Sequence, residues 1–98
     1  MILEVAVLQV KEGLSDEFER DFKLASAIIS SMKGYRGHEL QKCIEESHKY
    51  ILLVRWETLE DHTEGFRGSA AYMDWKKLLH HYYDPFPAVE HFTNVDIS

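Results

Sequence analysis

Cysteine is almost absent from this 98-residue chain, and the single Cys43 cannot close an internal disulfide. It suits a reducing compartment, where a lone cysteine is most often a small strand residue. Long apolar runs are also missing. The longest is five residues, Tyr50–Val54, far short of the roughly 20 needed to span a bilayer. The N-terminus carries no basic region ahead of an apolar stretch, and Glu4 interrupts the first apolar run, so no secretory signal is expected. Lys and Arg number 11 against 17 acidic residues, for a formal charge of −6, and they are scattered rather than clustered. Nucleic acid and anionic membranes are therefore poor partners. Repeats, low-complexity tracts and linkers are lacking, and the length suits one domain over residues 1–98. The expectation is a cytoplasmic, single-domain protein.

Catalytic signatures are missing too. There is no G-x-S-x-G elbow, P-loop or G-x-G-x-x-G, and no H-x-x-x-H or C-x-x-C metal spacing. Proline occurs only twice, within Asp84-Pro85-Phe86-Pro87. That stretch cannot be helix interior, because Pro85 lacks an N–H and restricts the residue before it.

What is present is a pattern of strands and amphipathic helices. Met1–Val10 is rich in Val, Ile and Leu and reads as a strand. Ser15 is placed to cap a helix, with Asp16 and Glu17 at its positive end. Leu14, Phe18, Phe22, Ala25, Ile28, Ile29 and Met32 recur at spacings of three and four, one apolar stripe. Lys33-Gly34 supplies a stop. Tyr35–Ile44 and Lys49–Glu57 read as the next two strands, joined by a polar turn. The core of the latter, Tyr50–Val54, is apolar on both faces. Thr58-Leu59-Glu60-Asp61 has the form of a capping box, introducing a short helix to about Phe66. Gly68-Ser69 restarts a helix in which Tyr72, Trp75, Leu79 and Tyr82 share a face. Ala88–Ile97 reads as a fourth strand with Val89, His91, Thr93 and Val95 on one side.

The order β-α-β-β-α-α-β predicts a ferredoxin-like α+β fold, with a four-stranded antiparallel sheet and its helices on one face. A third strand that is apolar on both sides implies that the other face is covered as well. The simplest cover is a second copy around a two-fold axis, giving a homodimer packed through sheet faces.

From Trp56 to Phe92 the chain concentrates four of its six histidines and eight of its twelve aromatics. Such side chains pair an apolar body with a polar tip. Together they read either as the wall of a pocket for a flat organic molecule or as an aromatic core with surface histidines.

The element order, the strand end Val54-Arg55-Trp56-Glu57 and the stretch Phe66-Arg67-Gly68-Ser69-Ala70-Ala71-Tyr72 resemble the antibiotic biosynthesis monooxygenase domain family of dimeric α/β-barrel proteins. The tail from Trp75 through His80-His81-Tyr82-Tyr83 to Phe92 resembles one subgroup of it. The family is chemically mixed. Some members oxidise polycyclic phenols or quinols with oxygen and no cofactor, others degrade haem, and one is an isomerase. The haem-degrading pattern implies an Asn on the first strand, a Trp on the short helix and a His ligand on the next helix. This chain departs at all three positions: its only Asn is Asn94, Phe66 stands near the Trp position, and Lys76 at the ligand position.

The phenol-oxidising resemblance implies a dry aromatic slot, a base near the phenol oxygen and a group that stabilises the anion. Phe66, Tyr72, Trp75 and Phe86 are candidates for the slot. His91 is the first candidate for the base and His38 the second, since imidazole exchanges protons near neutral pH. Arg55 or Arg67 can hold the negative charge. His62 can face the pocket mouth. His80 and His81 point about 100° apart on a helix, so at most one lines a pocket, and His81 is the candidate. Tyr72 and Trp75 also lie on the stripe that must pack on the sheet, and His91 and His38 face either the pocket or the dimer seam. The expected activity is oxidation of a small quinol- or phenol-like aromatic by O2, with no cofactor and no metal. The alternative is a non-catalytic binder of a small hydrophobic metabolite with the same fold.

Overall fold

A computed structural model describes residues 1–97. Four strands, β1 (Ile2–Gln9), β2 (Tyr35–Lys42), β3 (Lys49–Trp56) and β4 (Val89–Thr93), form one antiparallel sheet in the order β2-β3-β1-β4. Helix α1 (Ser15–Ser30) connects β1 to β2. A π-helical turn (Asp61–Phe66), helix α2 (Ala70–Leu79) and a 3-10 turn (His80–Tyr82) connect β3 to β4. Both crossovers skip one strand, and the helices pack on one sheet face. This is the expected ferredoxin-like α+β arrangement.

Strand alternation decides which side chains meet the helices. From β1, Glu4, Ala6 and Leu8 point inward; from β3, Tyr50, Leu52, Val54 and Trp56 do so, and all seven are buried. They meet Phe18, Phe22, Ala25 and Ile29 of α1 and Trp75 and Leu79 of α2, forming one continuous core. The opposite face presents Leu3, Val5, Val7, Ile51 and Leu53, all partly or wholly exposed. The two apolar faces expected for the third strand are both there.

Local chemistry departs from expectation in places. Helix α1 begins at Ser15, the cap position falls on Leu14, and no side chain caps it. The Ser15 hydroxyl instead donates to the Ser47 carbonyl at 3.5 Å. Thr58 does cap the second helical segment, accepting the Asp61 N–H at 3.1 Å, and Ser69 caps α2 by accepting the Tyr72 N–H at 3.2 Å. Strand β4 ends at Thr93, four residues before the expected end, where its pairing with β1 stops at Ile2.

Two glycines position the site. Gly34, at φ +83°, swings the chain from α1 into β2, and a Cβ there would collide with the Asp61 carboxylate. Near Gly37 the β2–β3 register slips by one residue. This bulge puts Tyr35 and His38 on the same face although they are three residues apart.

Candidate active site

Between the helical layer and the sheet lies a cavity of about 420 Å³. Its floor is Ala6 and Leu8 of β1 with Leu52 of β3 and Val89 of β4. Ala6 stands directly across from Leu52 on one side and Val89 on the other. A methyl at the centre of the sheet leaves unfilled the room a larger side chain would take. Phe66, Tyr72 and Trp75 form the helical wall, and Tyr83, Phe86 and Pro87 the side nearest the proline segment. The rings brace each other at steep angles: Phe66 meets Tyr72 at 5.2 Å and Trp75 at 5.6 Å, both edge-to-face. His80 reaches the wall between Tyr72 and Phe86, 5.9 Å and 4.9 Å from their centroids.

One end of the cavity is polar, formed by Glu4, His62 and Arg67. Glu4 is 5% exposed in the middle of the central strand. Its Oε1 accepts the Trp56 indole N–H at 2.9 Å and lies 3.4 Å from Nε2 of His62. His62, 3% exposed, stacks on the Trp56 indole with centroids 5.3 Å apart and planes within 18°. Its other nitrogen, Nδ1, is 2.7 Å from Nε2 of His91. The π-helical turn aims these groups: its wider ring is closed by the Arg67 N–H donating to the His62 carbonyl at 3.1 Å. That bond ties the cavity's cation to its imidazole.

Burial and the Arg67 field set the protonation states. Burial pushes the Glu4 carboxyl above its ordinary value, opposed by the Trp56 hydrogen bond and by Arg67. His62 is held down to about 3, first by burial, then by Arg67 and His91. His91 is lowered by burial and by Arg67. At neutral pH the site therefore holds two neutral imidazoles, a carboxyl of increased proton affinity and one fixed cation. That set can accept a proton and stabilise an anion left behind.

Of the residues predicted from sequence, Phe66, Tyr72, Trp75, Phe86, His62 and Arg67 line the cavity. Four do not. His91 is not among the lining residues; it sits opposite Glu4 on the neighbouring strand and contacts His62. His38 shares a cross-strand row with Val54, Glu4 and His91, but β2 and β4 are opposite edges of the sheet. Three strand spacings, roughly 14 Å, separate the two histidines. His38 accepts the Tyr35 hydroxyl at Nδ1, 2.5 Å away, and meets Ser26 Oγ at 3.1 Å with Nε2. Ser26 spends its own proton on the Phe22 carbonyl, so this trio is a strut under α1. Arg55 points to the outer sheet face, beside Glu39 at 3.5 Å. His81 is exposed and lies against Tyr82, centroids 4.1 Å apart, while its neighbour His80 takes the cavity position.

Sequence reasoning missed Glu4 and His80. Glu4 was visible only as an acid inside an apolar strand. His80 lies eight residues after Tyr72, about 80° round a helix from it, whereas His81 falls about 180° away, a spacing that marks His80 in preference to His81.

Residues 1–78 match the sequence pattern of the family described as antibiotic biosynthesis monooxygenase. The uncharacterized protein YczJ of Bacillus subtilis (strain 168) is 64% identical over 95 residues, which cover 97% of this chain and all of YczJ. A Bordetella bronchiseptica protein named for the same family superposes with a TM-score of 0.91 at 33% identity, over 96% of each chain. SnoaB, a cofactor-independent oxygenase from Streptomyces nogalater, shares the fold with a TM-score of 0.77 at 18% identity, over 97% of this chain and 93% of its own. With the sequence pattern spanning most of the chain and the architecture matching throughout, this protein belongs to the antibiotic biosynthesis monooxygenase family.

Proposed function

We propose that this chain is a monooxygenase that oxidises a small quinol- or phenol-like aromatic with O2 and needs no cofactor. The observation that carries this reading is the cavity: aromatic along its length, with a neutral imidazole, a buried carboxyl and a guanidinium at one end. Its volume falls in the range that encloses small organic ligands. Phe66, Tyr72 and Trp75 offer ring faces and edges to a flat substrate. The polar end receives its hydroxyl.

The reaction balances without another reductant. A phenol and O2 give a para-quinone and water: the ring C–H and the O–H are lost, one oxygen atom becomes the second carbonyl, and the other leaves as water. The ring supplies all four electrons. Loss of the hydroxyl proton first makes the ring electron-rich enough to reduce oxygen, and Arg67 stabilises the anion.

We further propose that the working unit is a homodimer packed through the outer sheet faces. Leu3, Val5, Val7, Ile51, Leu53 and Phe92 form an apolar patch whose surroundings are Glu39, Gln41, Arg55 and Glu90. An apolar centre with a polar rim is interface anatomy.

Oxygen uptake with a panel of quinols and phenols tests the activity. At least one should be turned over by the wild type, and Arg67→Gln should lower kcat/KM by about 10²-fold. Tyr72→Phe and His91→Ala should also slow the reaction. Substrates that quench Trp75 fluorescence but consume no oxygen would replace this reading with a binding protein of the same fold.

A further inference from the structure

We propose that Glu4 is the catalytic base of this site, taking the hydroxyl proton of the bound aromatic through Oε2, and that His62 and His91 are the residues that position it. This assignment rests on the phenol-oxidising reading above and names a residue that neither the sequence pattern nor the aromatic cluster suggests.

The atoms that face the cavity carry the argument. Glu4 Oε1 is engaged by the Trp56 indole and by the neighbouring His62. Among the described residues Oε2 has no hydrogen-bond partner, and no side-chain oxygen or nitrogen is sealed from solvent without one. Because Glu4 lines the cavity, Oε2 opens into it. His62 is less suited to the task. Its Nδ1 is committed to His91 at 2.7 Å, and its Nε2 stands against the Glu4 carboxylate. His91 does not line the cavity, and its Nε2 is taken up by His62.

The cluster also keeps Glu4 basic. A protonated His62 at 3.4 Å would form an ion pair with the carboxylate and reduce its affinity for a proton. Burial and Arg67 keep that imidazole neutral, while burial raises the carboxyl itself. Trp56 fixes the carboxylate by hydrogen bonding to it and fixes His62 by stacking on it. In the transfer the substrate O–H bond breaks, the Oε2–H bond forms, and the electron pair stays on the phenolate oxygen near Arg67. The proton returns to the hydroxide released when the O–O bond breaks, and Glu4 ends the cycle ionised.

The test is anaerobic, so that it reads proton transfer without oxidation. A phenol whose anion absorbs in the visible is mixed with wild type, Glu4→Gln and Glu4→Asp, and difference infrared spectra are recorded alongside. Glutamine keeps an oxygen for the Trp56 N–H, so the fold is retained, and near-UV circular dichroism verifies this. The expected result is bound phenolate plus a new protonated-carboxyl band in wild type. Both should be lost in Glu4→Gln and partly regained in Glu4→Asp. Under air, Glu4→Gln should turn over a weakly acidic phenol at least 10²-fold more slowly. The loss should be smaller for a phenol already ionised at the assay pH. For the positioning role, His91→Ala should move the pH at which the carboxyl band appears, since it frees Nδ1 of His62 beside Glu4, Trp56 and Arg67. Equal phenolate in wild type and Glu4→Gln removes Glu4 as the base but leaves the oxidase reading standing. An unmoved carboxyl band in His91→Ala removes the positioning role. Failure of every phenol to bind removes the functional reading and this assignment together.

Discussion

Nδ1 of His62 lies 2.7 Å from Nε2 of His91, joining a π-helical turn to an edge strand 29 residues away. One nitrogen must donate and the other accept, which requires that the pair not be doubly protonated. The contact is therefore sensitive to acid.

Stability should fall as the pH drops below the ordinary histidine range. His62 titrates at about 3 in the folded protein and near 6.5 when unfolded. The unfolded chain binds the extra proton between those values, so folding is favoured above 6.5 and the advantage is lost toward pH 3. Each pH unit in that window removes up to about 1.4 kcal/mol per proton. His38, His80 and His91 are also lowered by burial and act in the same direction. Urea unfolding across pH 4–7 should show a shallower slope for His62→Gln, by close to one proton. An unchanged slope would mean that His62 protonates freely in the folded state.

Glu4 works in the opposite direction. Its folded value is raised, so its contribution is fully present below the unfolded value near 4.5 and is lost as pH rises through the folded one. Glu4→Gln should be more stable than wild type at pH 8, and the difference should shrink toward pH 4. The comparison is read from thermal midpoints at both pH values. A variant less stable than wild type at pH 8 would show that the ionised carboxylate is a net stabiliser.

Gly34→Ala should destabilise the fold by about 2 kcal/mol, from the positive φ and from displacement of the Asp61 side chain. At this chain length that is a drop of roughly 8–16 °C in Tm. Adding Asp61→Ala should recover the steric part only, leaving the backbone part. Because Asp61 opens the turn that carries His62, oxygen uptake should fall in the single variant and partly return in the double.

Val5 and Leu53 face each other across β1 and β3 on the outer sheet face. Val5→Lys with Leu53→Lys should weaken the proposed dimer at least 100-fold, equivalent to about 3 kcal/mol. Sedimentation at micromolar concentration should give a dimer for wild type and a monomer for the variant. A wild-type monomer under those conditions refutes the proposed assembly.

His80 and His81 offer an internal control. His80→Ala opens the cavity wall beside Tyr72 and Phe86 and should raise KM several-fold. His81→Ala, at an exposed ring, should leave both KM and kcat at wild-type values.

The architecture was legible from local pattern. The Val, Ile and Leu content of Met1–Val10, the three-and-four spacing from Leu14 to Met32, the Thr58 capping box and the Gly68-Ser69 restart each specify an element, and the element order specifies the sheet. The aromatic half of the cavity was legible for the same reason, since Phe66, Tyr72 and Trp75 follow helical spacing onto the face that meets the sheet. Periodicity reports which side of an element is apolar, and burial of that side is what folding rewards.

The chemical half depended on pairing between distant segments. Glu4 reads locally as a break in an apolar strand. It becomes a buried acid only because β1 is a central strand, with Val54 and His91 beside it and Trp56 and His62 above. His38, like His91, was a strand histidine and a candidate base. The strand order β2-β3-β1-β4 put them on opposite edges and gave only one of them a neighbour at the cavity. The chain by itself therefore determined its elements, its apolar faces and its supply of rings and imidazoles, because these follow from short-range sterics and spacing. Tertiary structure alone decided which acid, which imidazole and which cation meet, because that depends on register between strands whose partners are far apart in the chain, 87 residues for Glu4 and His91.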